Sequence, residues 1–305
     1  MNILFISSGN TKSGISPIVF NQGNSLMEMG HHVSFFTIKE KGLKGYVKYI
    51  FILRKFLKNH SYEIIHAHYS LSAIVAGLAG GKPIVVSLMG SDIKASPLLK
   101  YLIKICKLFF WKRIIVKSSD MRISCGIESA AVIPNGVDFS KFKQFSKKES
   151  LEITHWNPNK KHILFAANPK RKEKNFPLAK SAFQELNAEN TELHTLVDIP
   201  NHKMPAYFNA ADVIILTSLW EGSPNVIKEA LACNCKIVAV NVGDIKEIIG
   251  NASGCFITGF NKTEIADCIK KALAYTEKPD GRTHISHLSS DVIAKKITNL
   301  YKEVL

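Results

Sequence analysis

Two glutamates eight positions apart, Glu221 and Glu229, bracket a loop that leaves a hydrophobic strand and opens a helix in LTSLWEGSPNVIKEALACNCKIVAV, Leu216 to Val240. A helix N-terminus directs free N–H groups and the positive end of its dipole outward, a ready site for a phosphate. Gly222 lets the backbone turn beneath a ligand. Ser223, Asn225 and Val226 offer N–H groups, and Pro224, which has none, fixes the turn. Carboxylates on either side of a phosphate site repel the phosphate itself. They suit hydroxyl groups flanking it. Hydroxyls, then phosphates, then more hydroxyls describe a nucleotide sugar. The bland reading is a helix that begins Ser-Pro-Asn and carries an early Glu that favours the dipole.

A second loop, ANPKRKEKNF from Ala167 to Phe176, follows another strand. Its basic run reads either as a solvated face or as a pyrophosphate contact. Arg171 and Lys174 are three apart, a spacing that shares one helical face. Near the N-terminus the loop Ser7 to Ser16 holds Gly9 and Gly14. It is not a GxGxxG loop, and no acidic residue ends the next strand as a dinucleotide site requires. A surface turn and a ligand-facing loop both remain open for Gly14. His66 and His68 alternate along a strand end and so share one face. They have no evident carboxylate or cysteine partner, so they read as packing or lining rather than metal ligands.

These loops need a scaffold. Short β-rich runs alternate with helical stretches along the whole chain, a βαβ pattern that predicts mainly parallel sheets. Strands are expected at 2–7, 32–37, 62–67, 83–88, 113–117 and 130–133, and again at 162–167, 193–197, 212–217, 235–240 and 255–257. Helices are expected at 15–29, 44–59, 69–80, 98–111, 175–188, 224–233, 263–277 and 290–304. The polar, lysine-rich stretch from Phe139 to Lys161 separates the two series. The expected domains are therefore 1–150 and 151–305, with a cleft between the carboxyl ends of their strands.

The 305 residues carry a net charge of +15. Residues 1–150 hold 21 Lys+Arg against 8 Asp+Glu, and residues 151–305 hold 19 against 17, so the charge sits in the first half. That half expects an anionic partner. Two basic amphipathic segments, Gly45–Lys58 and Leu98–Arg113, fit an anionic membrane surface, or simply cover the sheet. No recognition helix or stacking platform marks a nucleic-acid binder. Six cysteines in a chain of this length make no disulfide framework. The chain enters a strand without a leader-like segment and has no long apolar run. The expected location is cytoplasmic, peripheral at the inner face of the cell membrane.

With EGSPNVIKEALA (Glu221–Ala232), IPNGVD (Ile133–Asp138), MPAYFNAADVIILTS (Met204–Ser218) and SLMGSD (Ser87–Asp92) in hand, the chain resembles the retaining glycosyltransferases of family 4 over nearly its whole length. That resemblance implies the GT-B architecture, α/β with two Rossmann-like parallel-sheet domains facing across a cleft, an N-terminal acceptor domain and a C-terminal donor domain, the last helix crossing back to the first. It implies a hexosyltransferase-type enzyme that moves a sugar with retention from a nucleoside-diphosphate sugar such as a UDP-sugar. The acceptor would be a hydroxyl of a lipid-linked or glycan substrate, as in surface-polysaccharide biosynthesis. Glu221 corresponds to the glutamate near the donor sugar, Glu229 to the ribose ligand and Lys174 to the diphosphate lysine. Asn168 or Pro169 stands where an arginine is usual, so Arg171 is the substitute. Met89 stands where histidine often precedes Gly-Ser-Asp, and a thioether cannot donate as imidazole does. Asp92, Met89 and His68 are the acceptor-side candidates. No divalent metal or cofactor is expected, because lysine and helix dipole carry the diphosphate charge. The alternatives are a small soluble acceptor, or a non-catalytic module that binds nucleotide sugars.

Overall fold

The computed structural model describes residues 1–10, 14–40, 42–90 and 97–305. The chain forms two compact units, Met1–Gly136 with Ser290–Leu305, and Val137–Ser289. The first runs β1 (Asn2–Ser8), α1 (Pro17–Glu28), β2 (His32–Ile38), α2 (Gly42–Asn59), β3 (Ile64–His68), α3 (Ser70–Leu78), β4 (Ile84–Ser87), α4 (Pro97–Phe109), β5 (Trp111–Val116), α5 (Ser119–Cys125) and β6 (Ala131–Val132). Its sheet is parallel in the order β2-β1-β3-β4-β5-β6. Inner strands such as Ile84-Val85-Val86 are wholly buried, as expected of a parallel sheet covered on both faces.

The second unit runs α6 (Lys147–Thr154), β7 (Lys161–Phe165), α7 (Phe176–Leu186), β8 (Thr191–Thr195), α8 (Met204–Ala210), β9 (Val213–Leu216), α9 (Asn225–Ala232), β10 (Ile237–Val240), α10 (Ile245–Ile249), β11 (Cys255–Thr258), α11 (Lys262–Ala274) and α12 (Gly281–His284). Its parallel sheet has the order β11-β10-β9-β7-β8. Helix α13 (Ser290–Lys302) belongs to the first unit and packs on α1. Its Tyr301 is fully buried, and its hydroxyl lies 2.5 Å from His66 Nδ1.

The boundary lies at 136/137 rather than near 150. Residues 139–147 are polar but stitched into the second unit. Phe142 is buried, Phe145 N donates to Asn209 Oδ1 (2.9 Å), and Lys147 pairs with Asp212 (2.5 Å). Arg282 donates to the carbonyls of Phe139, Phe142 and Ala232 at 2.7–3.0 Å. The IPNGVD segment lies where the chain enters the second unit, and Ser289 where it leaves. Val137 N donates to Leu288 O (2.9 Å), and Val137 bridges Ser289. Gly136 is required there, because a Cβ would sit 2.8 Å from Ser290 Cα.

The helices not expected from sequence, α5, α6, α8, α10 and α12, span four to eight residues. That is too short for a 3.6-residue period to show. The triplet Phe109-Phe110-Trp111 divides as its crowding demands. Phe109 is exposed, whereas Trp111 is buried with Nε1 donating to Ala73 O (3.2 Å). Among the described residues no helix is long and apolar enough to cross a membrane.

Candidate functional site

In the second unit the loops after β7 and β9 are bound to each other at the carboxyl end of the sheet. The Thr217 hydroxyl donates to the carbonyls of Lys174 (3.2 Å) and Asn175 (3.0 Å), and Leu219 N donates to Glu173 O (2.9 Å). Lys174 Nζ therefore lies 2.5 Å from Glu221 Oε1, with side chains only 14% and 12% exposed. Ser218 Oγ donates to the same oxygen at 2.6 Å. Glu221 is thus held in one orientation from two sides. An ammonium has three donors, so Lys174 keeps capacity for an anion while it positions the carboxylate.

Gly243, in the loop after β10, supports this turn from behind. Its φ is +60°, and a Cβ there would sit 2.7 Å from the Glu221 carbonyl oxygen. Helix α9 begins at Asn225 with Pro224 before it and no side-chain cap. Gly222 and Ser223 form the turn, and the amides of Asn225 and Val226 belong to the first turn of the helix. Glu229 follows on the same helix.

Glu229 keeps a partly open surface but is densely surrounded by protein, and burial pushes its pKa up to about 7. The ammonium groups of Lys141 and Lys228 pull the other way. Lys228 is fully buried, and burial lowers its pKa to about 8 against the attraction of Asp244 and Glu229. Asp244 is itself raised to about 6 by burial, offset by Ser223 and Lys228. Lys141 and Lys228 were not singled out by sequence reasoning. Lys141, three residues after IPNGVD, acts on Glu229 through its charge. Asp138 Oδ1 accepts from Ser140 N (2.9 Å) and Lys141 N (3.0 Å), which fixes the turn that carries it. Its ammonium also bonds Asn201 Oδ1.

Arg171 does not join the Lys174–Glu221 pair. It caps the short turn at 172–174 and pairs with Glu173 at 2.6 Å, with its side chain 56% exposed. The loop leaves Arg171 one residue short of that turn, so the expected shared face does not form.

The acceptor-side candidates belong to the first unit. Gly14, the donor-binding loop candidate of the same unit, adopts φ +81° with open space around its Cβ position. His68 ends β3 and is buried, with both ring nitrogens unpartnered, and burial followed by Lys117 lowers its pKa to about 3. It stacks on His66 at 4.4 Å, so the two histidines do share one face. His66 is bonded to Tyr301 and, through Nε2 at 2.8 Å, to Ser87 Oγ. Lys117 Nζ donates to the same hydroxyl at 3.3 Å. The next residue, Tyr69, has φ +81° and ψ +141°, a strained region for a side-chain-bearing residue. Met89 follows β4 and is partly buried. Asp92 and residues 11–13 lie outside the described residues.

Residues 12–141 match the family model described as Glycosyltransferase Family 4, and residues 173–275 match that described as Glycosyl transferases group 1. The UDP-Gal:alpha-D-GlcNAc-diphosphoundecaprenol alpha-1,3-galactosyltransferase of Escherichia coli is 25% identical over 259 residues, 70% of this chain and 67% of that protein. The chain spans between 47% and 67% of the lengths of the curated relatives it matches. Among solved structures, sucrose-phosphate synthase from Thermosynechococcus elongatus superposes with a TM-score of 0.83 at 16% identity, over 99% of this chain and 98% of that one. HepE of Anabaena in complex with UDP-glucose superposes at 0.75 and 16% identity, over 99% of both chains. The two parallel-sheet domains are those of the GT-B fold, and the chain is related to the group 1 and family 4 glycosyltransferases.

Proposed function

We propose that this protein is a retaining hexosyltransferase that moves a sugar from a nucleoside-diphosphate sugar to a hydroxyl of a lipid-linked or glycan acceptor. The observation that carries this reading is the part-buried Lys174–Glu221 pair just before the uncapped first turn of α9, with Glu229 on the same helix. In this reading Glu229 accepts hydrogen bonds from ribose hydroxyls and Glu221 from the donor sugar. Lys174 and the first-turn amides meet the diphosphate. That a HepE of the same fold holds UDP-glucose supports a UDP-sugar.

The bond from the anomeric carbon to the diphosphate oxygen breaks, and the acceptor oxygen bonds that carbon on the same face. The acceptor proton passes to the departing phosphate. Charge builds on the leaving diphosphate, where Lys174 and the helix dipole stabilise it without a metal. The acceptor class is favoured by the lipid-diphosphate substrate named for the Escherichia coli relative. It is also favoured by exposed Phe51, Tyr101, Leu108 and Phe109 among the lysines of α2 and α4, which suit an anionic membrane surface.

Calorimetric titration with a panel of nucleoside diphosphates and their sugars tests the donor site, with Glu229→Ala alongside. Saturable binding of one base family, weakened by the substitution, supports the reading. Absence of binding across the panel defeats it. Pelleting with anionic but not neutral vesicles tests the membrane contact. Turnover on a water-soluble acceptor alone would replace the lipid-linked class with a soluble one.

A further inference from the structure

A second cluster of chemistry-bearing side chains lies away from the Lys174–Glu221 pair, on the sheet edge of the second unit. Strands β7 and β8 are parallel neighbours, with His162 opposite Glu192 and Leu164 opposite His194. Glu192 and His194 alternate along β8, the edge strand, and so share one face. His162 Nδ1 and His194 Nε2 are 3.0 Å apart, and Glu192 Oε2 lies 3.8 Å from the first and 3.6 Å from the second. We propose that His162, Glu192 and His194 form a three-ligand binding site for a divalent transition metal of the zinc class at the β7–β8 edge.

Three observations carry this. The spacing is that of ligands rather than of a chance contact. Zinc holds imidazole nitrogen and carboxylate oxygen at about 2.0–2.2 Å, so neighbouring ligands of a tetrahedral site lie about 3.3–3.6 Å apart. The separations of 3.0, 3.6 and 3.8 Å bracket that edge. The ligand atoms are also presented in usable states. His162 Nε2 faces the Asn157 carbonyl at 2.9 Å. A carbonyl only accepts, so Nε2 carries the hydrogen and Nδ1 turns its lone pair to the cluster. Glu192 Oε1 is taken by Lys160 at 2.8 Å, which leaves Oε2 directed at the imidazoles. Finally, the site is walled but not sealed. His162 is fully buried, Trp156 stacks on His194 at 3.7 Å, and the Glu192 side chain is 32% exposed. Three protein ligands and an open side leave the fourth position to water.

Without metal the two imidazoles share an N–H···N hydrogen bond. On binding, His194 moves its proton from Nε2 to Nδ1, and no proton is lost. Magnesium does not suit two imidazoles. The site takes no part in the proposed transfer, so its failure leaves the donor assignment untouched.

The test uses the full chain without a histidine tag, stripped with chelator and with thiols blocked to silence the free cysteines. Calorimetric titration with Zn²⁺ is expected to show one saturable equivalent, and Mg²⁺ none. Co²⁺ is expected to give the visible bands of a tetrahedral site. His194→Ala, at the more accessible histidine, weakens zinc binding by about 100-fold or more, and Glu192→Gln by about 10- to 100-fold. Both variants retain nucleotide binding, which shows that they fold. No saturable equivalent in the parent chain, or an equivalent unmoved by both substitutions, overturns the proposal.

Discussion

Glu229→Gln separates the charge of one carboxylate from its shape. The folded protein holds the Glu229 pKa at about 7, against an ordinary 4.5. Below pH 4.5 the group is protonated in both folded and unfolded chains and contributes nothing. Between the two values the unfolded chain releases the proton while the folded one keeps it, so stability falls as pH rises. Above pH 7 both states are ionised and the loss is complete. Linkage puts that loss at about 1 kcal/mol by pH 5 and about 3 kcal/mol by pH 8. The amide of the variant does not titrate and suffers no such loss. Its burial adds an offset that is the same at every pH. The advantage of the variant over the parent should therefore grow by about 2 kcal/mol from pH 5 to pH 8, or about 4–8 °C in the unfolding of a domain of this size. Pairing the two proteins at each pH cancels the titration of other groups. Binding should run the opposite way. UDP-glucose, whose diphosphate stays ionised throughout this range, is expected to bind the parent more weakly below pH 7, by up to about tenfold at pH 6 relative to pH 8. The variant should bind weakly and without that slope. Parallel stability curves, or the same binding slope in both proteins, would refute the argument that burial poises this carboxylate for a hydroxyl-bearing ligand.

Three further outcomes follow from the geometry. Lys174→Met removes the cation paired with Glu221 and should lower kcat/KM by about 10²- to 10³-fold, read by release of nucleoside diphosphate. An unchanged rate would remove Lys174 from the leaving-group role. Gly243→Ala places a methyl 2.7 Å from the Glu221 carbonyl oxygen at a φ of +60°. It should destabilise the second unit by about 1–3 kcal/mol and weaken donor binding, and calorimetry indistinguishable from the parent would contradict the contact. Tyr301→Phe leaves His66 Nδ1 buried without its phenol partner. A loss of about 1–3 kcal/mol is expected in thermal unfolding, and its absence would show that the bond is idle.

The alternation of strand and helix was legible because buried parallel strands are continuous apolar runs, and Ile3–Ile6 and Ile163–Phe165 both read that way. Lys174 and Glu221 were legible as candidates because each lies in a polar loop directly after such a run. Their 2.5 Å contact was not, because it depends on β7 and β9 being neighbours in the sheet. The same limit hid the His162–Glu192–His194 cluster, whose members meet only through the register of β7 with β8. Arg171 and Lys174 do not share the helical face that their spacing suggests, for a local reason. Spacing of three predicts a shared face only within a helix, and Arg171 stands at the cap of a single turn, where Glu173 takes its guanidinium.

The misplaced boundary and the missed Lys141 have one cause. The segment after IPNGVD is polar and rich in lysine, so by composition it reads as a linker. Composition does not count the bonds that order it. Arg282 binds the carbonyls of Phe139 and Phe142, and its guanidinium lies 4.3 Å from the Phe139 ring centroid. Asp138 caps the turn that follows. A segment held this way delivers a charge to a defined place, and Lys141 acts on Glu229 as a result. Burial alone would drive Glu229 toward a neutral acid that serves poorly as an acceptor for two hydroxyls. The charges of Lys141 and Lys228 restore part of the anionic character. The carboxylate near pH 7 is therefore a property of burial on α9 and of the charges of Lys228 and of Lys141 in the turn after Asp138, rather than of the Glu221–Glu229 spacing alone.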